Sequence, residues 1–199
     1  MRIYGDTRSG NCYKLQLLLS LLGKTCEWVN VDIMKGETRS PSFLEKTPNG
    51  KIPLLELDDG RVLSESNAIM HYIASNTPFI PSSPYQFAQL LQWQFFEQYS
   101  HEPYIAVARY INVYLGLPDD KKAEYASKQA GGYRALAVME HQLTLTPFLL
   151  GDVISLADIS LFAYTHVAHE GGFDLAPYPA IRNWIGLIRE QNGFIPMEA

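Results

Sequence analysis

Three short stretches carry side chains and backbone groups suited to holding a charged ligand. The first is Arg8-Ser9-Gly10-Asn11-Cys12-Tyr13-Lys14. Apolar spacing predicts a helix over 11–22, so Ser9 to Cys12 lie at or just before its N-terminus, where free N–H groups and the positive end of the helix dipole converge. The second is Pro48-Asn49-Gly50-Lys51-Ile52-Pro53-Leu54-Leu55-Glu56. A proline between a turn signal and an apolar strand is tolerated when the bond before it is special, commonly cis in a tight turn. Such a bond would point the N–H and C=O of Ile52 outward, where an extended ligand could add as a strand. Lys51 beside the turn offers a cation for a carboxylate. The third stretch, Glu65-Ser66-Asn67-Ala68-Ile69, opens an amphipathic helix and offers a hydroxyl, N–H groups and one negative charge. The second and third together suit a zwitterionic peptide that bears both an amine and carboxylates.

The elements that must position these groups are legible from periodicity. Arg2–Asp6 reads as a strand, 11–22 as a helix with a leucine-rich face and Glu27–Asp32 as a second strand, which is a βαβ unit. Pro41–Lys46 forms a short helix before the proline turn, and Leu54–Leu57 and Arg61–Leu63 flank the hairpin signal Asp58-Asp59-Gly60. Glu65–Ser75 returns as a helix. Thr77-Pro78-Phe79-Ile80-Pro81-Ser82-Ser83-Pro84 is the one proline-dense stretch, and beyond it the pattern becomes wholly helical. The expected organisation is an α/β domain over 1–77, a linker over 78–84 and an all-α domain over 85–199. Within the latter, Tyr85–Leu115 carries Pro103, which predicts a kink or break. Asp119–Leu143, Ser155–His169 and Ala180–Glu190 follow as helices. Ser155-Leu156-Ala157-Asp158 has capping-box form, with Ile154 and Ile159 placed for a hydrophobic staple; its expected role is folding.

Bulk properties narrow the function classes. The chain has 199 residues, a net charge of −5 and 47% hydrophobic residues, enough to bury a sizeable core. No basic run offers phosphates a footprint, which argues against a nucleic-acid partner. Leu15–Leu22 with Arg2, Arg8 and Lys14 upstream mimics parts of a signal peptide, yet no small-residue cleavage pattern follows, Asp6 interrupts the leading region, and the run is too short to span a bilayer. No membrane association is expected. Cys12 and Cys26 make no disulfide framework in a chain of this length, pointing to a reducing cytoplasm. His166 and His169 stand at i and i+3 without a third ligand at useful spacing, so no metal is expected.

Across nearly the whole length, from Met1-Arg2-Ile3-Tyr4 to Gly193-Phe194-Ile195-Pro196, the chain resembles the soluble glutathione transferases. The resemblance implies a thioredoxin-like N-terminal domain plus an all-α C-terminal domain, glutathione as co-substrate, a capped central helix at Ser155–Asp158 and a homodimer. Carried over by position, Ile52 would supply backbone bonds to glutathione, Glu65 the charge for the γ-glutamyl amine, and Ser66 its hydroxyl and N–H for the γ-glutamyl carboxylate. Lys51 and Arg39 are candidates for the glycyl carboxylate. Many serine-type members use a histidine near Thr38-Arg39, and this chain has none there.

In the family, the loop before the first helix faces the sulfur of glutathione. Lowering a thiol pKa from about 8.5 by about two units requires about 2.7 kcal/mol of preference for the anion. One hydrogen bond to a charged group supplies about 1.5–3 kcal/mol and a helix terminus about 0.3–1 more, so a single donor on a helix start suffices. Ser9, three residues before Cys12, matches the catalytic serine of serine-type transferases. Asn11 matches the asparagine of a bacterial nu-like group, as first or auxiliary donor. Cys12 could instead form a mixed disulfide, as in the beta and omega classes, although their cysteine lies nearer the loop start. No tyrosine occupies this loop, which disfavours the mechanism of the alpha, mu and pi classes. The electrophile is expected beside the kinked long helix, where Tyr99, Tyr104, Ala108 and Arg109 are candidate contacts. Three functions stay open: conjugation of glutathione to an apolar electrophile, glutathione-dependent disulfide or peroxide reduction, and non-catalytic ligand binding on the same fold.

Overall fold

The computed structural model describes residues 1–198 and divides the chain into two compact units. The first comprises Met1–Thr77 together with the C-terminal segment from Asn192 onward, and the second Pro78–Gln191. The return of the C-terminal segment to the first unit is invisible to helical spacing. It is tied there by the hydroxyl of buried Tyr13, which donates to the Ile195 carbonyl at 2.7 Å.

The first unit is a four-stranded mixed sheet, ordered β2-β1-β3-β4, with β1 Arg2–Gly5, β2 Glu27–Asn30, β3 Leu54–Glu56 and β4 Val62–Ser64. β1 and β2 run parallel because helix α1, Gly10–Leu21, carries the chain back between them; β3 runs antiparallel to β1 and joins β4 as a hairpin. Strand alternation gives each face its own core. Tyr4 pairs in register with Leu54, and both pack with Val31 and with Phe43 of α2, Pro41–Lys46. Ile3 pairs with Leu55 on the opposite face, and both are fully buried. Helix α3, Ser66–Ile73, packs on α1. That contact decides the site, because both helices begin with polar residues.

The second unit is helical: α4 Pro84–Phe96, α5 Glu102–Arg109, α6 Lys122–Leu143, α7 Leu156–Thr165 and α8 Pro179–Arg189. The break expected at Pro103 is a π-type turn over Glu97–His101, directly before α5, and a second π-type turn over Tyr110–Tyr114 ends the run. Proline stands at the second residue of α5, where the π-type turn before it accommodates the missing N–H and the ring. Every residue of α7 is buried. Helix α6 approaches α5 closely at Gly131 and Gly132, where a Cβ would fall 2.2 Å from the rings of Tyr104 and Phe173 respectively. No helix among the described residues is long and apolar enough to cross a membrane.

The capping box at α7 is complete. The Asp158 carboxylate accepts from the Ser155 N–H and hydroxyl, each at 2.8 Å, from the Leu149 N–H at 2.9 Å and from the Trp184 indole at 3.0 Å. A cap thus doubles as a brace between α7, the preceding loop and α8.

Candidate functional site

The loop entering α1 is built by Asp6. Its carboxylate accepts the Arg8 N–H at 2.9 Å and its carbonyl the Ser9 N–H at 3.0 Å, which turns the chain so that Ser9 becomes the N-cap of α1. The Ser9 carbonyl accepts the Tyr13 N–H at 2.8 Å, but the Ser9 hydroxyl makes no capping bond to the first turn. It lies near the Cys12 sulfur, where it favours the thiolate. Cys12 is fully buried against Gly5, where an added Cβ would meet its sulfur at 2.8 Å. Burial pushes the Cys12 thiol up to about 12, against the opposing pull of its hydrogen bonds with Ser9 and the Asp6 backbone. A thiol so placed stays protonated at neutral pH and makes a poor nucleophile.

Asn11 and Lys14, one turn apart on α1, meet Ser66 at the start of α3. The Asn11 Oδ1 accepts from the Lys14 ammonium at 2.8 Å and from the Ser66 hydroxyl at 3.1 Å; the Lys14 ammonium lies 3.4 Å from the Ser66 oxygen. Lys14 is 0% exposed and Ser66 6%. The residue before Ser66 is strained: Glu65, the N-cap of α3, has φ 70° and ψ 114°, a region L-residues seldom enter, and its side chain does not cap the helix. The Glu65 side chain is exposed, with no partner among the described residues.

The proline turn has the expected form, with a cis Ile52–Pro53 bond. Among the described residues, nothing hydrogen-bonds to the main chain of Ile52. Gly50 sits at φ 58°, and a Cβ there would fall 2.8 Å from both the Arg39 guanidinium and the Thr38 carbonyl. Arg39 donates to the Asn49 carbonyl at 3.4 Å, so an exposed guanidinium lies over the turn that carries the exposed Lys51.

The structure thus brings Asn11 to Ser66, and Arg39 to the turn of Lys51. Ser9 lies beside Cys12. The four candidate electrophile contacts have diverse settings within the helical unit. Tyr99 is 83% exposed; Tyr104 lies over Gly131; Ala108 is buried; Arg109 is buried and pairs with Glu170 at 2.5 Å. His166 stacks on Phe162 and its Nδ1–H donates to the Phe162 carbonyl at 2.7 Å, and burial lowers its pKa to about 4. Among the described residues, no group of three His, Cys, Asp or Glu is placed to hold a metal ion. Sequence reasoning missed Lys14, for which the signal was its i+3 spacing from Asn11 on a helix. It also missed the Glu65 backbone, for which there was none.

Comparison with known proteins identifies the family. Residues 3–83 match the family model described as glutathione S-transferase, N-terminal domain, and residues 122–186 the model described as glutathione S-transferase, C-terminal domain. A crystal structure of a glutathione S-transferase from Pseudomonas fluorescens Pf-5 superposes with a TM-score of 0.97 and is 56% identical, covering 100% of this chain and 98% of that one. The disulfide-bond oxidoreductase YfcG of Escherichia coli is 30% identical over 91% of this chain and 86% of its own length. Elongation factor 1-gamma of Danio rerio is 38% identical over 75% of this chain, but only 34% of its length is matched, so the chain spans about a third of such relatives.

Proposed function

The chain belongs to the glutathione S-transferase family, and we propose that it binds glutathione in its first unit and stabilises the thiolate for attack on an electrophilic, mostly apolar substrate. One observation carries this reading: the direct contact between Asn11 and Ser66, which locks together two helix starts whose N-cap side chains leave the first turns uncapped. Open N–H groups on two adjoining helix starts favour anions. Ser66 receives the γ-glutamyl carboxylate and Glu65 its amine, Ile52 pairs with the ligand backbone, and Arg39 with Lys51 takes the glycyl carboxylate. Ser9 and Asn11 donate to the sulfur. The protein then contributes thiolate stabilisation and proximity, leaving bond formation to the nucleophile itself. Tyr99, Tyr104, Ala108 and Arg109 belong to the helical unit proposed to shape the electrophile site.

A second reaction, glutathione-dependent disulfide reduction, is favoured by the likeness to YfcG over most of both chains and by Asn11 as sulfur donor. A homodimer is favoured by three aromatic rings exposed along α4 and the turn after it: Tyr85 at 72%, Phe95 at 64% and Tyr99 at 83%. A cytoplasmic place in detoxification follows from the proposed chemistry and from two thiols that form no disulfide. Parallel assays with a generic aryl halide and with a mixed disulfide of glutathione separate the two reactions. Glutathione-dependent turnover of the halide supports conjugation; turnover of the disulfide alone supports reduction; calorimetry without glutathione binding would reject both.

A further inference from the structure

We infer that Lys14 is a positioning residue for the thiolate donor: it holds the Asn11 side-chain oxygen inward so that the amide N–H groups of Asn11 face the glutathione sulfur. The inference rests on the proposed glutathione site and deepens it. A lysine ammonium can only donate hydrogen bonds. Whatever atom of Asn11 sits 2.8 Å from it must therefore be the amide oxygen. The Ser66 hydroxyl, 3.1 Å from that oxygen and 3.4 Å from the ammonium, completes a triangle in which Lys14 donates to both neighbours and Ser66 donates to Asn11. With its oxygen claimed twice, the amide has one orientation left, and its nitrogen points away from Lys14. Asn11 is half-buried at the second position of α1, whereas Lys14 is fully buried one turn further in.

A lone asparagine at a helix start rotates freely and presents oxygen or nitrogen to an anion with little preference. Presenting oxygen to a thiolate would repel it. Fixing the amide removes the wrong rotamer before the ligand arrives, which is preorganisation of a donor where charge develops.

The test is the ionisation of the bound thiol, followed by thiolate absorbance across pH at saturating glutathione. Losing a charged donor behind a hydrogen bond to the sulfur is expected to raise the apparent pKa of bound glutathione by about one unit in Lys14→Met, a roughly tenfold loss of thiolate at low pH. Turnover then recovers as the pH is raised. Lys14→Arg, which keeps a buried cationic donor, is expected to restore the pKa to within about 0.3 units of the parent. In an Asn11→Ala background, Lys14→Met should add nothing further, since a residue acting through Asn11 loses its effect with it. An unmoved pKa in Lys14→Met, a turnover loss equal at every pH, or a full additional shift in the double variant would each overturn the inference. If Lys14→Met gives no folded protein, Lys14→Gln carries the pKa test, and an unmoved value there overturns the inference as well. Failure of the glutathione reading is recognised separately, by absence of calorimetric binding to the parent protein.

Discussion

Of the helices that begin on a serine N-cap, α7 and α1 differ most in what surrounds that serine. At α7, the Ser155 hydroxyl accepts the Ala157 N–H and donates to Asp158, and Asp158 gathers three further donors, so the local polar groups are spent on one another. At α1, the Ser9 hydroxyl caps nothing, and at α3 the N-cap Glu65 holds a strained backbone without capping either. The α7 start is closed by its own side chains, whereas the α1 and α3 starts carry no side-chain cap. The same residue type thus says little by itself; what stands three residues on differs between the two starts. At α7 an aspartate follows three residues after the serine. At α1 the third residue is Cys12, which offers the backbone N–H groups no acceptor of that kind.

The comparison breaks most visibly at Asp158. A lost helix cap alone costs about 0.5–2 kcal/mol. Here four buried donors would lose their acceptor, so Asp158→Ala is expected to cost on the order of 3–5 kcal/mol, lowering the melting temperature by about 10 °C or more. Thermal unfolding alongside kinetics on the soluble fraction checks this. A specific loss of turnover with unchanged melting would give Asp158 a role outside the brace.

Effects at the open starts are smaller and of another kind. Ser9→Ala and Asn11→Ala should each lower conjugation turnover by about ten- to a hundredfold, the equivalent of one hydrogen bond to an anion, while glutathione affinity changes little. Steady-state kinetics at varied glutathione separates the terms; a change confined to KM would move both residues away from the sulfur. At α3, Glu65→Gln and Ser66→Ala should weaken glutathione binding by about tenfold and leave melting nearly unchanged. Calorimetric titration with unaltered affinity in both would remove this helix start from the site.

The smallest effect sharpens the contrast between the serines. Ser155→Ala should destabilise by about 0.5–2 kcal/mol, and Ser9→Ala by less than about 0.5 kcal/mol, because no capping bond is lost at α1. Equal losses in chemical denaturation would mean that α1 is capped by Ser9 in solution after all.

Much of this contrast was legible in the residue string, for reasons that differ by element. The capping box, the βαβ unit and the hairpin at Asp58-Asp59-Gly60 are local patterns, set by neighbours within a few residues. Pro103 marked a break, yet the break takes the form of a π-type turn over Glu97–His101, the stretch that holds the carbonyl four residues before the proline, with which its ring would clash in a regular helix. The partners of Asp158 at Leu149 and Trp184 lay out of reach, since packing of α8 fixes them. Likewise the strained Glu65 backbone has no compositional mark, because residues tolerant of positive φ are usually Gly or Asn. The burial of Lys14 has no local mark either, because it arises where α1 packs with α3.

The most direct test of the central claim is a crystal structure of the protein with glutathione bound. The sulfur is expected within hydrogen-bond distance of the Ser9 hydroxyl or the Asn11 amide nitrogen, with the γ-glutamyl carboxylate on Ser66 and the ligand backbone paired with Ile52. A disulfide between glutathione and Cys12, or glutathione bound away from the starts of α1 and α3, would contradict it.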